Sequence, residues 1–149
     1  MVGIGEKIPR DSTLLPFSGI NPMNRKLMRE CLGLAKRKLS TIPAWMTARH
    51  FTFVFVDNKL LGYGKNRKAS LPKHYGYETH CTRHAEIEAY RRLKGLICGK
   101  PFSILNVRMT AAQEIRNAAP CKQCYIMMKA LGCQEFYFTR DDGKIERLV

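Results

Sequence analysis

Nothing in the 149 residues approaches the roughly 18 uninterrupted apolar positions that a membrane helix requires. The opening stretch MVGIGEKIPRDSTLLPFSG carries charges of both signs and two prolines, so the basic-then-apolar order of a secretory signal is missing as well. The expectation is a chain with no membrane association, working in the reducing cytoplasm. Internal repeats and low-complexity tracts are also missing, and the length suits one domain. Acidic residues are scarce: 12 Asp and Glu stand against 26 Lys and Arg, a formal charge of +14. A field of that sign attracts phosphate-bearing partners, whether small ligands or polymers. Disulfides are not called for. Six cysteines in a chain this long, two of them in a C-x-x-C unit, read as reduced thiols and metal ligands.

What is present is a regular alternation of periods. Residues 1–20 show neither helical nor strand period and are expected to form an extended arm, leaving 21–149 as the domain. Asn21 can cap a helix with Pro22 at its first position. Leu27, Met28, Cys31, Leu34, Ala35 and Leu39 then recur at helical spacing, opposite a basic face that includes Arg25, Lys26, Arg29, Lys36 and Arg37. HFTFVFVD reads as a strand, Asp57-Asn58 as a tight turn and KLLGYG as the hairpin partner. The polar segment from Lys65 to Cys81 reads as a surface loop. EIEAYRRLK is predicted to be a helix stopped by Gly95, and FSILNVRM a strand. A polar loop leads to CKQCYIMMKAL, a helix starting after Pro120 and closed by Gly132. QEFYFTR, the turn Asp141-Asp142-Gly143 and KIERLV complete the pattern. The order implies an α/β domain with a mixed sheet covered on both faces. Cys31, Cys98 and Cys133 are expected to be buried as small apolar residues.

Two clusters carry chemistry. One is His84-Ala85-Glu86 at the start of a helix; the other is Pro120-Cys121-Lys122-Gln123-Cys124 at the start of the next. In a shuffled chain of this composition H-x-E arises roughly once in five, whereas the two motifs together arise on the order of once in a thousand. Cys121 and Cys124, three apart in a first helical turn, project on one face and can bind one ion. His84 completes a set of three, and three protein ligands leave a Zn²⁺ position open to water, as catalysis requires. Two thiolates largely cancel the ion's charge, so its water needs a base, and Glu86 stands two residues from His84.

The chain resembles the cytidine deaminase superfamily, particularly its CMP/dCMP-type branch, through HFTFVFVDNKLLGYGKN, RHAEIEA and APCKQCYIMMKALGCQEFYF, over about residues 24–148. The resemblance implies a three-layer αβα sandwich around a central mixed five-stranded sheet. It implies hydrolytic deamination of a cytosine nucleoside or nucleotide to the uracil product and ammonia, with Glu86 moving the protons. It also implies self-association into a homo-oligomer. Asn66 occupies the place that contacts the sugar in that family. The loop that holds a neighbouring base in polynucleotide editors is filled by Thr139 to Gly143 and contains Arg140. Tyr75 and Tyr77 could stack on a base, and Ala85 and Pro120, beside the ligands, complete the expected substrate contacts.

Departures from the family leave other readings open. Asn117-Ala118-Ala119 precedes the Pro-Cys unit, where tRNA adenosine deaminases usually have Glu and polynucleotide cytosine editors have Ser-Trp-Ser. A deaminase of cytosine or adenine in single-stranded DNA or RNA would suit the +14 charge. A zinc-stabilised nucleic-acid binder without turnover would leave Glu86 unexplained. His74, His80 and Cys81 offer an alternative or second metal site.

Overall fold

A computed structural model of the chain describes residues 22–42, 49–68 and 82–148. The expected arm at 1–20, the cap Asn21, and Tyr75, Tyr77, His74, His80 and Cys81 lie outside the described residues.

Helix α1 runs over Pro22–Lys38, with Met28, Cys31 and Ala35 buried at helical spacing, and continues as a 3₁₀ turn over Leu39–Thr41. Lys36, Arg37 and Lys38 end it, where cations meet the partial negative charge of the helix terminus. Strand β1 (Arg49–Val56) and strand β2 (Lys59–Lys65) form the expected hairpin. Asp57 and Asn58 both take positive φ, 52° and 62°, the geometry whose twist matches that of the flanking strands. Beyond it the chain departs from the loop expected from Lys65 onward. Strand β3 (Arg67–Lys68) pairs antiparallel with strand β4 (Thr82–Arg83), a contact of two residues each that leaves no periodic mark in the sequence.

Helix α2 covers Ala85–Ile97 and passes through Gly95 instead of stopping there. Glycine within a helix costs about 1 kcal/mol, which the burial of a side chain the size of Ile97 outweighs at roughly 1.5–3 kcal/mol. The turn is closed by Cys98 in the left-handed conformation, φ 52°, which carries its side chain past the core to the surface. Cys98 is therefore exposed, not buried as expected; Cys31 and Cys133 are buried. Strand β5 (Phe102–Met109), strand β6 (Ile115–Arg116), helix α3 (Lys122–Ala130), strand β7 (Cys133–Thr139) and strand β8 (Ile145–Leu148) follow.

The sheet order is β2-β1-β5-β7-β8, antiparallel throughout except for the parallel pair β5–β7. Short β6 adds a sixth strand to the five expected, pairing with β5 at Arg108 and Met109 beyond the end of β7. Alternation along the strands divides the core in two. Phe51, Phe53, Phe55, Leu105 and Val107 face α1. Val54, Val56 and Ile104 face the layer of α2 and α3, against Ile87, Leu93, Ile97 and Met128. The result is a three-layer αβα sandwich around a mixed sheet. No described helix is long and apolar enough to cross a membrane.

The seat of α2 depends on one close approach. A methyl group at Gly64 of β2 would stand 2.6 Å from the Ala89 Cα and 2.9 Å from its Cβ, with backbone on the opposing side. Gly64→Ala is therefore expected to push α2 off the sheet and lower stability by about 1–3 kcal/mol, read as a fall in thermal midpoint. A midpoint within 1 °C or so of the parent would show that α2 is not seated by this contact.

Candidate metal centre and its cavity

Two helix N-termini converge on the same side of the sheet. His84 is the N-cap of α2, in extended backbone, and its side chain makes no capping hydrogen bond. Cys121 is the N-cap of α3, its sulfur accepting the Cys124 amide at 3.4 Å. The ligand atoms of His84, Cys121 and Cys124 all lie within 4.8 Å of one another. His84 Nδ1 is 3.1 Å from Cys124 Sγ and 3.8 Å from Cys121 Sγ. A tetrahedral zinc with bonds of about 2.1 Å to nitrogen and about 2.3 Å to sulfur holds such atoms about 3.6 Å apart, so the donor set and spacing fit that ion.

The electrostatics favour the thiolate form of Cys121. Hydrogen bonds from Cys124 and His84 pull the Cys121 thiol from 9.0 down to about 4 against the opposing effect of burial. The His84 imidazole is raised in turn, chiefly by its hydrogen bond with Cys121. Burial pushes Cys31 and Cys133 the other way, up to about 12.

Glu86 follows in the first turn of α2 and is 1% exposed. Its Oε2 accepts Asn106 Nδ2–H at 2.9 Å, and Asn106 Oδ1 accepts the Thr52 hydroxyl at 2.7 Å. Thr52 and Asn106 are Cα partners across β1 and β5, both fully buried. Glu86 Oε1 is buried with no hydrogen-bond partner among the described residues. Glu86, His84 and Cys121 line one cavity of about 260 Å³ together with His50, Asn66, Arg108 and the loop Asn117–Ala119. That loop is fixed from behind: Ala118 N–H donates to Thr139 O at 2.9 Å and Asn117 N–H to Asp141 Oδ1 at 2.8 Å. A slightly larger cavity, about 290 Å³, lies at the hairpin end of the sheet near Asp57 and Asn58 and holds none of these groups.

The expected substrate contacts divide. Asn66 lines the cavity, and its Oδ1 accepts the His50 amide at 3.0 Å while its own N–H donates to His50 O at 3.1 Å. Ala85 is buried between His84 and Glu86, and Pro120 connects the lining residues Ala119 and Cys121; neither side chain is part of the wall. Arg140 is not brought to the cavity. Its guanidinium is engaged by Asp142 at 2.8 Å and Glu146 at 3.9 Å.

Sequence reasoning missed His50, Thr52, Asn106 and Arg108. The signal was there, in polar residues at alternate positions of two otherwise apolar strands, which puts them on one face. His50 Nε2 is buried without a partner among the described residues, and burial lowers its pKa, which keeps the ring neutral.

Because the Cys121 thiol titrates at about 4 when folded and near 9.0 otherwise, its thiolate contributes stability that is complete above the ordinary thiol value. That contribution is lost as pH falls through the lower one. In metal-free protein at about pH 6, iodoacetamide is expected to modify Cys121 faster than in the urea-unfolded chain, and zinc is expected to protect it. Peptide mass mapping gives the comparison, and equal rates in the folded and unfolded chains would contradict the assignment.

No protein-family model matches the chain, and no curated protein sequence does. Among solved structures it is similar to the dCMP deaminase of cyanophage S-TIM5 in its apo form. That likeness has a TM-score of 0.52 at 15% sequence identity and covers 81% of this chain and 86% of that one. A likeness at such low identity speaks to architecture, and it agrees with the layers and sheet order described above. The chain therefore has the cytidine deaminase-like fold, and carries at the convergence of two helix N-termini a His-Cys-Cys cluster with a buried carboxyl group beside it.

Proposed function

We propose that the chain is a zinc-dependent hydrolase that deaminates a cytosine nucleoside or nucleotide of the CMP/dCMP type, giving the uracil product and ammonia. The observation that carries this reading is Glu86. A carboxyl group sunk beside three metal-ligand atoms, with one oxygen tied to Asn106 and the other unpartnered, suits proton transfer and has no use in a purely structural zinc site. The similarity of fold to a dCMP deaminase supports the same class of reaction.

In this reading His84, Cys121 and Cys124 hold zinc, which when bound supplies the acidity that makes water a nucleophile at neutral pH. Glu86 Oε1 accepts the proton from water and passes it to the ring nitrogen of the base. Once the water oxygen is bonded to the amino-bearing carbon, Glu86 takes its remaining proton and hands it to the amine, whose bond to that carbon breaks, so that water and cytosine become uracil and ammonia. Asn106 and Thr52 hold the carboxyl group in one orientation throughout. The loop Asn117–Ala119, tied to β7 through Ala118, forms one wall of the cavity. The working unit is residues 21–149, acting as a homo-oligomer in the cytoplasm.

The +14 charge favours a second reading, in which the cytosine or adenine sits in single-stranded nucleic acid. Counterion release separates the two readings. Polymer binding weakens steeply with salt, whereas a mononucleotide shows a shallow slope.

Glu86→Gln is expected to keep stoichiometric zinc while losing deamination by roughly 10²–10⁴-fold, measured as ammonia release on cytidine, CMP and dCMP alongside metal analysis. Turnover at the parent rate would remove Glu86 from this role. Cys121→Ser is expected to lose zinc and to melt at lower temperature; unchanged stoichiometry would refute the ligand set.

A further inference from the structure

The flank of β5 changes partner partway along. Its pairing with β7 runs to Asn106 opposite Phe138, and its pairing with β6 starts at Arg108 opposite Arg116. Thr139, the last residue of β7, stands at that junction and is fully buried. Its hydroxyl donates to Arg116 O at 2.8 Å and accepts the Arg108 amide at 3.4 Å, while its carbonyl oxygen accepts the Ala118 amide at 2.9 Å. One residue thus closes the gap between the two pairings, where the chain enters the Asn117–Ala119 wall of the cavity. Buried backbone groups need partners, so a methyl group in place of this hydroxyl would force the loop to shift toward other partners or water.

The loop is held at further points. Asp141, exposed in the turn that follows Thr139, accepts the Asn117 amide at 2.8 Å, and Asn117 Oδ1 accepts the Ala119 amide at 2.8 Å. On the inner side, Ala118 O accepts Asn106 Nδ2–H at 3.3 Å. The same nitrogen donates to Glu86 Oε2 at 2.9 Å, so the two hydrogens of one planar amide are divided between the loop and the carboxyl group. With Asn106 Oδ1 on the Thr52 hydroxyl, every polar position of that amide is engaged in one plane. A displaced Ala118 carbonyl would release one N–H and let the amide turn away from Glu86. Hydrogen bonds therefore run without a break from the end of β7, through Ala118 and Asn106, to Glu86.

Resting on the deaminase reading, we propose that Thr139 and Asp141 are positioning residues for Glu86, acting through the Ala118 carbonyl and the Asn106 amide. Neither lines the metal-centre cavity, and both fix the loop that does. The segment Thr139 to Gly143, which the resemblance to polynucleotide editors makes a contact for a neighbouring base, here orients the proton carrier from behind its wall. Because the device sets the geometry of proton transfer and leaves the wall residues themselves unchanged, its loss falls on kcat and spares KM.

The test uses the full chain loaded with zinc, as the parent, Thr139→Val, Thr139→Ser and Asp141→Ala, each also combined with Glu86→Gln. Values of kcat and KM are measured separately on whichever of cytidine, CMP and dCMP the parent deaminates fastest. Thr139→Val is expected to lower kcat by roughly tenfold or more with KM within about twofold, and Thr139→Ser, which keeps the hydroxyl, to recover most of the loss. Asp141→Ala is expected to lower kcat by about threefold or more. Asp141 is exposed, so this variant tests the same loop even where Thr139→Val does not fold. Combined with Glu86→Gln, both losses are expected to vanish, because the group being positioned no longer carries a proton. An equal fractional loss in both backgrounds, or an unchanged kcat in Thr139→Val and Asp141→Ala with zinc content intact, would overturn the proposal. Solvent exchange of the Asn106 side-chain amide, assigned in NMR spectra by its disappearance in Asn106→Asp, needs no turnover. It is expected to quicken by roughly tenfold or more in Thr139→Val and Asp141→Ala and to stay at the parent rate in Thr139→Ser. Quickened exchange in these variants of a parent that deaminates no substrate would sink the deaminase reading and keep the positioning chain. Deamination with both exchange and kcat unmoved would do the reverse.

Discussion

A carboxyl group that is 1% exposed can remain in a protein interior only where something answers its polarity, and here the answer is the Asn106 amide at 2.9 Å from Glu86 Oε2. Leaving even a neutral amide or hydroxyl unmatched there costs on the order of 2–7 kcal/mol, and a charged carboxylate more. Asn106 can serve because it lies mid-strand in β5, opposite Thr52 of β1, which takes up its own carbonyl oxygen. The pairing of β1 with β5 therefore fixes where this carboxyl group sits. A slip of one residue would turn Thr52 or Asn106 to the α1 face among Phe51, Phe53 and Leu105, and leave Glu86 with nothing to hold it.

The same frame explains why His84, Cys121 and Cys124 meet. Strand β5 and strand β7 are the one parallel pair among the described residues, so the chain must cross over between them, and α3 is that crossover. Helices connecting parallel strands begin near the carboxyl ends of those strands, where α/β folds gather their sites. Strand β1 runs antiparallel to β5, so its first residues, including His50, reach the same end. Two helix starts there aim partial positive charge at the sulfurs, and the lowered Cys121 thiol is consistent with that placement, although its hydrogen bonds are the larger cause.

Much of this was legible in the residues themselves, because long periodic segments and turn chemistry are local signals. The helices, the Asp57-Asn58 turn and the motifs that contain His84, Cys121 and Cys124 were all readable in that way. The errors have physical causes. Gly95 looks like a stop in isolation, yet Ile97 two residues later belongs to the core, and tertiary burial overrides a local penalty. Strands of two residues, β3, β4 and β6, are too short to have a period. Arg140 has the right charge for a substrate contact, but it pairs with Asp142 and Glu146 and does not line the cavity. The contact of Asn106 with Glu86 and the arrival of His50 at the cavity depend on which strands are neighbours, and neighbourhood across 20 or more residues is not a property of any local window.

The order of the strands also fixes where the backbone remains available to outside chains. β5 is occupied on both flanks, by β1 on one side and by β7 and β6 in succession on the other, so the margins of the sheet are β2 and β8. β8 has only four residues, while β2 has lysine at each end and lies against an irregularity in its pairing with β1. Brevity, charge and distortion are the features by which natural sheets discourage the addition of a foreign strand. Among the described residues, the scaffold that keeps Glu86 in place thus carries at both margins features that oppose fibril-like extension.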